Sequence, residues 1–143
     1  MIQVISILGG RKTFGLIPRS QLDWIYFLRK GFPPAALTSF ALRTGMTDAE
    51  LAQMLGISVR TLASRRSRKT PLSSGDSERL YRAARVIARA NEVFGNFAKG
   101  VRWLREGKTP LFRGATPISL IDTEIGTEFV LDLLGRIEDG FFA

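Results

Sequence analysis

The stretch "GISVRTLASRRSRKT", Gly56–Thr70, combines positive charge with the pattern of a packed helix. It holds five cations and no acid. Its apolar residues Ile57, Val59 and Leu62 nevertheless have the spacing of residues that face a protein core. A DNA-recognition helix needs both properties, because one face packs on its own domain while the other enters the major groove.

The residues before this stretch predict a first helix that leads into it. In "TDAELAQMLG", Thr47 is a good N-cap and Glu50 lies three residues later, which is the capping-box pattern. Gly56 ends this helix where the chain needs a positive φ, and Ser58 can cap the next helix. The residues expected to be buried in the two helices are Leu51, Ala52, Met54, Leu55, Ile57, Val59 and Leu62. The pattern predicts a helix-turn-helix; an ordinary helical hairpin is the alternative, and the basic charge favours DNA binding.

The outer face of the second helix supplies the candidate DNA contacts. Arg60 and Ser64 are expected near base edges, and the cations that follow are expected along the phosphate backbone. The predicted DNA-binding residues are Ser58, Arg60, Thr61, Ser64, Arg65, Arg66, Arg68 and Lys69. Arg65 departs from the pattern, because its position toward the end of such a helix is usually apolar. Either the helix ends early there, or Arg65 turns outward to a phosphate.

Caps and apolar spacing predict further helices along the chain. Their expected bounds are Gln21–Lys30, Pro33–Arg43, Ser77–Phe94, Lys99–Arg105, a short helix from Pro117, and Glu124–Glu138. The opening "IQVISIL" is interpreted as a short strand or an apolar arm, and the glycines at positions 9, 10 and 15 as a loop. The fold class predicted from these elements is all-α.

The predicted helices also have expected inner and outer faces. The residues expected to point inward from the helix Gln21–Lys30 are Trp24, Ile25 and Leu28. The apolar stripe expected on the last helix consists of Ile125, Phe129, Val130, Leu133, Leu134 and Ile137. The long helix carries a row of arginines on its other faces, at Arg79, Arg82, Arg85 and Arg89. This row is interpreted equally as a solvated surface or as a set of phosphate contacts.

The composition excludes several classes of function. The chain has 143 residues and is 45% hydrophobic, which suits one domain or two small ones with a real core. It contains no Cys and no His, which excludes disulfides, zinc sites built on these residues, and Ser-His catalysis. We therefore expect no enzyme activity, no cofactor and no metal. The acidic residues interpreted as a solvated helix face are Asp122, Glu124, Glu128 and Asp132.

The net charge of +8 is unevenly distributed along the chain. Residues 1–46 carry +5 and residues 47–114 carry +8, whereas residues 115–143 carry −5. Basic surfaces attract nucleic acid and acidic surfaces repel it, so the separation predicts two different partners. The alternative is that the charges only solvate the surface.

Neither a membrane-spanning segment nor a signal peptide is expected. No apolar run approaches the roughly 18 residues of a spanning helix. The N-terminal "MIQVISILGG" lacks a positive n-region and a convincing cleavage site. We expect a soluble cytoplasmic protein that does not bind membranes and that associates with the nucleoid when bound to DNA.

Several longer motifs carry a family resemblance. They are "VRTLASRR" at Val59–Arg66, "ARANEVFG" at Ala88–Gly95, and "TPISLIDTEIG" with "LLGRIEDG" near the end. In this order and spacing they resemble the Xre/MbcA/ParS-type antitoxins over roughly residues 22–140. That family usually has "RTLARR", and this chain has a Ser in the middle, at Ser64.

The resemblance implies a two-part organisation and two partners. Residues 1–75 would form an N-terminal helical domain with the helix-turn-helix at about 47–69, and residues 76–143 a C-terminal toxin-binding and dimerisation domain. The partner implied is a cognate toxin, typically an NAD-degrading enzyme of the RES-domain class, whose active site the antitoxin covers. The complex would bind operator DNA and repress its own operon. The alternative is a stand-alone helix-turn-helix regulator whose C-terminal domain binds a ligand or another protein.

A homodimer within a hetero-oligomeric complex is also expected. One recognition helix reads only a few base pairs, and two-fold pairing doubles the site. The apolar stripe of the helix Ser77–Phe94, or that of the tail, is the expected dimer face.

The tail is expected to bind the toxin. The predicted toxin-binding residues are Gly126, Phe129, Arg136, Gly140, Phe141 and Phe142. The acidic charge suits a positive cleft that binds an anionic dinucleotide. Gly126 and Gly135 cost about 1 kcal/mol each inside a helix relative to Ala, which favours close approach of another backbone. Phe141 and Phe142 are expected either to plug an apolar pocket of the toxin or to fold back onto the chain's own core.

Overall fold

The computed structural model describes residues 2–107 and 113–140, and within these ranges it contains α-helices, one 3₁₀ helix and no strand. The α-helices are α1 Ile2–Ile7, α2 Gly10–Phe14, α3 Gln21–Lys30, α4 Pro34–Thr44, α5 Asp48–Leu55, α6 Val59–Ser67, α7 Ser74–Phe94, α8 Phe97–Glu106 and α9 Glu124–Glu138. The 3₁₀ helix is Pro117–Leu120. The prediction of an all-α fold is confirmed.

The chain divides into two compact units, Met1–Ala84 and Arg85–Ala143. The division falls within α7, whereas the sequence analysis placed the change of domain between residues 75 and 76. α7 itself starts three residues earlier than expected, at Ser74, and the Ser73 hydroxyl accepts a hydrogen bond from the Asp76 backbone N–H at 3.0 Å. No helix in the described part of the chain is long and apolar enough to cross a membrane.

The first unit begins with two short helices, so the expected strand or apolar arm and the expected glycine loop are wrong. α1 buries Val4, Ile5 and Ile7, whose spacing fits a helical repeat as well as a loose alternation. The Ser39 hydroxyl of α4 donates to the Ile7 carbonyl oxygen at 3.1 Å, and α1 also packs against α2. Gly9 turns the chain between the two helices with a φ of 112°.

α3 has the predicted bounds but buries a different face. The Ser20 hydroxyl accepts a hydrogen bond from the Asp23 backbone N–H at 3.2 Å and so fixes the start of the helix. Trp24 and Phe27 are buried, whereas Ile25 is 41% exposed, so the expected burial of Ile25 is wrong. The side chains of α3 join an aromatic cluster formed by Phe14, Trp24, Phe27, Phe32 and Tyr81. Because these partners are distant in sequence, local spacing does not reveal the buried face.

The second unit places the 3₁₀ helix against both α8 and α9. Gly100 brings α8 close to α7, because a Cβ at this position would lie 3.0 Å from the Ala90 carbonyl carbon. Trp103 packs against Phe94 with ring centroids 5.6 Å apart, and both rings are half-buried. The core of this unit is aliphatic, and its buried residues include Val101, Leu104, Ile118, Val130 and Leu134.

Among residues 113–123, Pro117–Leu120 form one turn of 3₁₀ helix. Thr116 precedes this turn, and its side chain makes no capping hydrogen bond. Its carbonyl oxygen instead accepts a hydrogen bond from the Ser119 hydroxyl at 2.7 Å. Pro117 starts the turn, as the sequence suggested.

Candidate functional sites

The turn between α5 and α6 has the geometry that the sequence predicts. The Glu50 carboxylate accepts a hydrogen bond from the Thr47 backbone N–H at 2.8 Å, and the Thr47 hydroxyl accepts one from the Glu50 N–H at 3.1 Å. Gly56 has a φ of 71°, which suits a residue without a Cβ. The Ser58 hydroxyl accepts a hydrogen bond from the Thr61 N–H at 3.0 Å. These local bonds fix both helix ends and hence the helix-turn-helix.

The inner face of the two helices is mostly as expected. α6 packs against α4 and α5. The buried residues on α5 and α6 are Leu51, Ala52, Met54, Leu55 and Leu62. Val59 is 49% exposed, so its expected burial is wrong. Val59 is the first residue of α6, and the buried residue of this helix is Leu62, one turn further on.

The outer face of α6 carries most of the predicted DNA-binding residues. The exposed members of this set are Ser58, Arg60, Ser64, Arg68 and Lys69. Thr61 is half-buried, and its hydroxyl accepts a hydrogen bond from the Ser58 hydroxyl at 2.9 Å. The exposed face is therefore polar and cationic, as a DNA-facing helix requires.

Arg65 follows neither of the two explanations that the sequence left open. α6 does not end there but continues to Ser67. The Arg65 side chain does not extend to solvent either, because its Nε donates to the Asp76 Oδ2 at 2.6 Å. The Asp76 side chain is only 6% exposed. Arg65 thus joins the recognition helix to a buried carboxylate at the start of α7, a partner eleven residues away that local spacing did not reveal.

Arg66 forms an ion pair of a different kind. Its Nη1 donates to the Asp48 Oδ1 at 2.8 Å, and the Asp48 side chain is 62% exposed. The pair links α6 to the first turn of α5. Because the pair is open to water, it contributes little to stability and leaves Arg66 accessible to an anion.

The arginines of α7 do not form one uniform solvated row. Arg82 is buried, with Nη1 3.1 Å from the Glu78 carboxylate, which corrects its expected placement on a solvated or phosphate-facing surface. Arg79 lies 3.7 Å from Asp76. Arg85 is exposed. Apolar packing around α7 draws in the aliphatic stem of an arginine, which a charge count does not show.

Arg89 connects α7 to α9. It donates to the Glu138 carboxylate at 2.7 Å and to the Glu92 carboxylate at 3.2 Å. The hydrogen bond that Arg89 donates to Glu138 raises the pKa of Arg89 and lowers the pKa of Glu138. Both groups are therefore held in their charged forms.

The apolar stripe expected on α9 divides into a buried and an exposed part. Val130, Leu133 and Leu134 are buried. Ile125 is 83% exposed and Phe129 43% exposed, so these two residues of the stripe lie on the surface of the helix. Ile125 and Phe129 lie one turn apart and point away from the face that forms the core.

A groove of about 420 Å³ lies beside these exposed residues. Its lining residues are Arg113, Leu120, Asp122, Thr123, Ile125, Gly126 and Phe129. The groove is formed by the end of the 3₁₀ helix and the first turns of α9. The sequence analysis named Gly126 and Phe129 as toxin-binding but missed the other lining residues, because the spacing along α9 does not show which other element lies beside it.

The two glycines of α9 occur for different reasons. A Cβ on Gly126 would collide with the Leu120 carbonyl oxygen, so this glycine is required by the chain's own backbone. A Cβ on Gly135 would meet no atom of the described residues within 4 Å. The backbone that approaches Gly126 is therefore internal, whereas Gly135 has no such neighbour in the part of the chain that the structure describes.

The remaining predicted toxin-binding residues lie at the end of α9. Arg136 is exposed. Gly140 is exposed, with a φ of 84°. Phe141 and Phe142 lie outside the described residues. No group of three or more acidic residues within residues 2–107 and 113–140 is arranged to hold a metal ion.

Comparisons with known proteins match both units. Residues 23–85 match the family model described as the antitoxin Xre-like helix-turn-helix domain, and residues 89–140 match the antitoxin Xre/MbcA/ParS C-terminal toxin-binding domain. The protein named antitoxin Xre in Pseudomonas putida is 38% identical over 111 residues, which cover 78% of this chain and 68% of that protein.

More distant relatives extend the match. An antitoxin Xre of Yersinia enterocolitica is 33% identical over 119 residues, or 81% of this chain and 78% of that protein. A protein named Prs ADP-ribosylating antitoxin, from a Sphingobium species, is 26% identical over 154 aligned positions, or 94% of this chain and 96% of that protein.

Proposed function

Because the chain belongs to the Xre family of antitoxins, with a helix-turn-helix domain and a C-terminal toxin-binding domain, we propose that it neutralises a toxin and represses its own operon. The observation that carries this proposal is the separation of two surfaces of opposite charge. The outer face of α6 is cationic, and the exposed face of α9 carries acids. The first suits operator DNA and the second suits a basic protein surface.

The toxin that we propose consumes NAD. The resemblance to antitoxins of RES-domain toxins supports an NAD-degrading partner, and one relative is named as a Prs ADP-ribosylating antitoxin. NAD degradation and ADP-ribosyl transfer both break the bond between nicotinamide and ribose. A cleft that binds the anionic pyrophosphate of NAD should be positive, and the acidic charge of residues 115–143 is complementary to such a cleft. We propose that the antitoxin inhibits by covering this cleft.

The antitoxin itself acts by binding, without catalysis and without a cofactor. A chain with no His and no Cys offers neither the usual general base nor a thiol nucleophile. We also propose a homodimer within a larger complex with the toxin, located in the cytoplasm and on the nucleoid when bound to the operator.

Co-expression with the product of the neighbouring gene tests the proposal. We expect the two proteins to purify together, the toxin alone to consume NAD, and the complex to be inactive and to bind the operator. Operator binding without any bound toxin would instead indicate a stand-alone regulator. Absence of both interactions would contradict the proposal as a whole.

A further inference from the structure

We propose that the groove between the 3₁₀ helix Pro117–Leu120 and α9 is the anchor point for the toxin, and that it receives an apolar side chain flanked by Lys or Arg. This inference rests on the proposed antitoxin function and specifies its contact surface. The domain that contains the groove matches a toxin-binding domain, which supports a toxin as the occupant.

The first argument is the exposure of large apolar side chains that the domain does not use for its own core. Val130 and Leu134 are fully buried, so α9 already has a complete inner face. Ile125, by contrast, is 83% exposed on the groove wall, and Phe129 adds a partly exposed ring one turn away. Apolar residues grouped on a concave surface are typical of protein-binding sites.

The second argument is that the groove is built before a partner arrives. The Thr123 hydroxyl accepts a hydrogen bond from the Gly126 N–H at 2.9 Å, and the Thr127 hydroxyl donates to the Thr123 carbonyl oxygen at 2.7 Å. Gly126 also lets the Leu120 backbone contact α9 closely. A preformed wall needs little ordering on binding, so more of the contact energy contributes to affinity.

The third argument concerns charge and selects the occupant. Asp122 and Arg113 both line the groove, and the acids Glu128 and Asp132 are exposed on α9 at positions next to Ile125 and Phe129. Three acids against one arginine give this surface an acidic excess, which a cationic rim on the partner would complement. Nucleic acid would be repelled, and a second copy docked by the same face would place acid against acid. A basic toxin surface satisfies the charge and the shape together.

The experiment compares variants of the full-length antitoxin for binding to the purified toxin from the neighbouring gene. Ile125→Glu places a charge on the groove wall and should raise the toxin Kd by roughly 30-fold, the size of a hot-spot contact. Ile125→Ser removes the apolar side chain without a charge and should weaken binding by a smaller factor. Leu42→Glu is the matched control, because Leu42 is 79% exposed on α4 and is not a lining residue of the groove.

Operator binding by all three variants reports that the chain is folded. We expect Leu42→Glu to bind the toxin like the wild type, and both Ile125 variants to bind the operator normally. Unchanged toxin affinity in both Ile125 variants would overturn the groove proposal and leave the antitoxin function standing. Failure of the wild type to bind the toxin would overturn the proposed function and the groove with it.

Discussion

At the scale of single residues, the cations of α6 have different roles although they are close in sequence. Arg60 is exposed on the outer face, Arg66 shares an exposed ion pair with Asp48, and Arg65 is held by the buried carboxylate of Asp76. A count of positive charges treats them alike. Their surroundings predict three different results of substitution.

Arg60→Ala and Arg66→Ala should both weaken operator binding, for different reasons. Arg60 is proposed to contact a base, so its loss should cost about 1–3 kcal/mol and relax specificity at one position. Arg66 is proposed to contact a phosphate, so its loss should weaken all sequences alike and flatten the salt dependence. Titrations of both variants with operator and random duplexes at several salt concentrations measure these effects. Wild-type affinity for the operator in both variants would contradict the assignment.

Arg65→Ala should instead destabilise the fold. It would leave the buried Asp76 carboxylate without its nearest cation, at a cost of about 1–3 kcal/mol in the free energy of unfolding. Arg66→Ala is the control, because an exposed pair contributes at most about 1 kcal/mol. Urea denaturation of the two variants, with Asp76→Ala and the double variant to complete the cycle, measures the coupling. Equal free energies of unfolding for the Arg65 and Arg66 variants would show that the burial of Asp76 does not make its ion pair with Arg65 more stabilising than an exposed pair.

At the scale of elements, the bounds of helices were far more predictable than their buried faces. α3 and α9 begin and end where the sequence indicates, because the cap residues Ser20 and Thr123 act on backbone within the next turn. The buried faces depend on partners elsewhere in the chain. Local spacing therefore misplaced Ile25 and Val59.

The candidate site was predictable to a similar extent. The exposed cations Arg60, Arg68 and Lys69 follow from the helix-turn-helix register. The link from Arg65 to Asp76 does not follow from this register, because it depends on the path of the chain between α6 and α7. The groove was missed for the same reason, since its wall at Leu120 is a separate element from α9.

Substitution of the two glycines of α9 should shift stability in opposite directions. Gly126→Ala would push against the Leu120 carbonyl and should destabilise the chain by about 1–3 kcal/mol. Gly135→Ala meets no neighbour and should stabilise it by up to about 1 kcal/mol through helix propensity. Thermal and urea denaturation of both variants measure the difference. If Gly135→Ala lowers the stability, the space around Gly135 is not open enough for a Cβ.

The contact between α7 and α9 should depend on pH. The Arg89 hydrogen bond lowers the pKa of Glu138, so this contact stabilises the fold fully above the ordinary Glu pKa and is lost as pH falls through the lowered value. An NMR titration should show a Glu138 midpoint below about 4.3, the usual value for Glu. Arg89→Gln should return the midpoint toward that value, and Arg85→Gln, which removes an exposed arginine of the same helix, should not. If the Glu138 midpoint is the same in Arg89→Gln as in the wild type, the hydrogen bond between Arg89 and Glu138 is absent in solution.

At the scale of the whole molecule, operator recognition should require at least a dimer. One recognition helix contacts only a few base pairs, and two-fold pairing supplies the second half-site. The apolar residues of α7, an expected dimer face, are buried within the chain's own units, as Leu80, Ala84 and Ile87 show. Light scattering at tens of micromolar, alone and with operator duplex, should report a dimer or larger species. A monomer under both conditions would contradict this expectation.

The ion pair between Arg66 and Asp48 also affects how the molecule as a whole exchanges ions with the solution. In the free protein, Asp48 already neutralises Arg66, and few mobile anions gather there. When a phosphate takes Arg66, the exposed Asp48 carboxylate is released and attracts a cation from solution. This uptake would offset part of the ion release at this contact, so Arg66 would still add to the salt dependence but by less than an unpaired cation. We therefore expect the number of ions released on operator binding to be smaller than the number of arginines and lysines that touch the backbone.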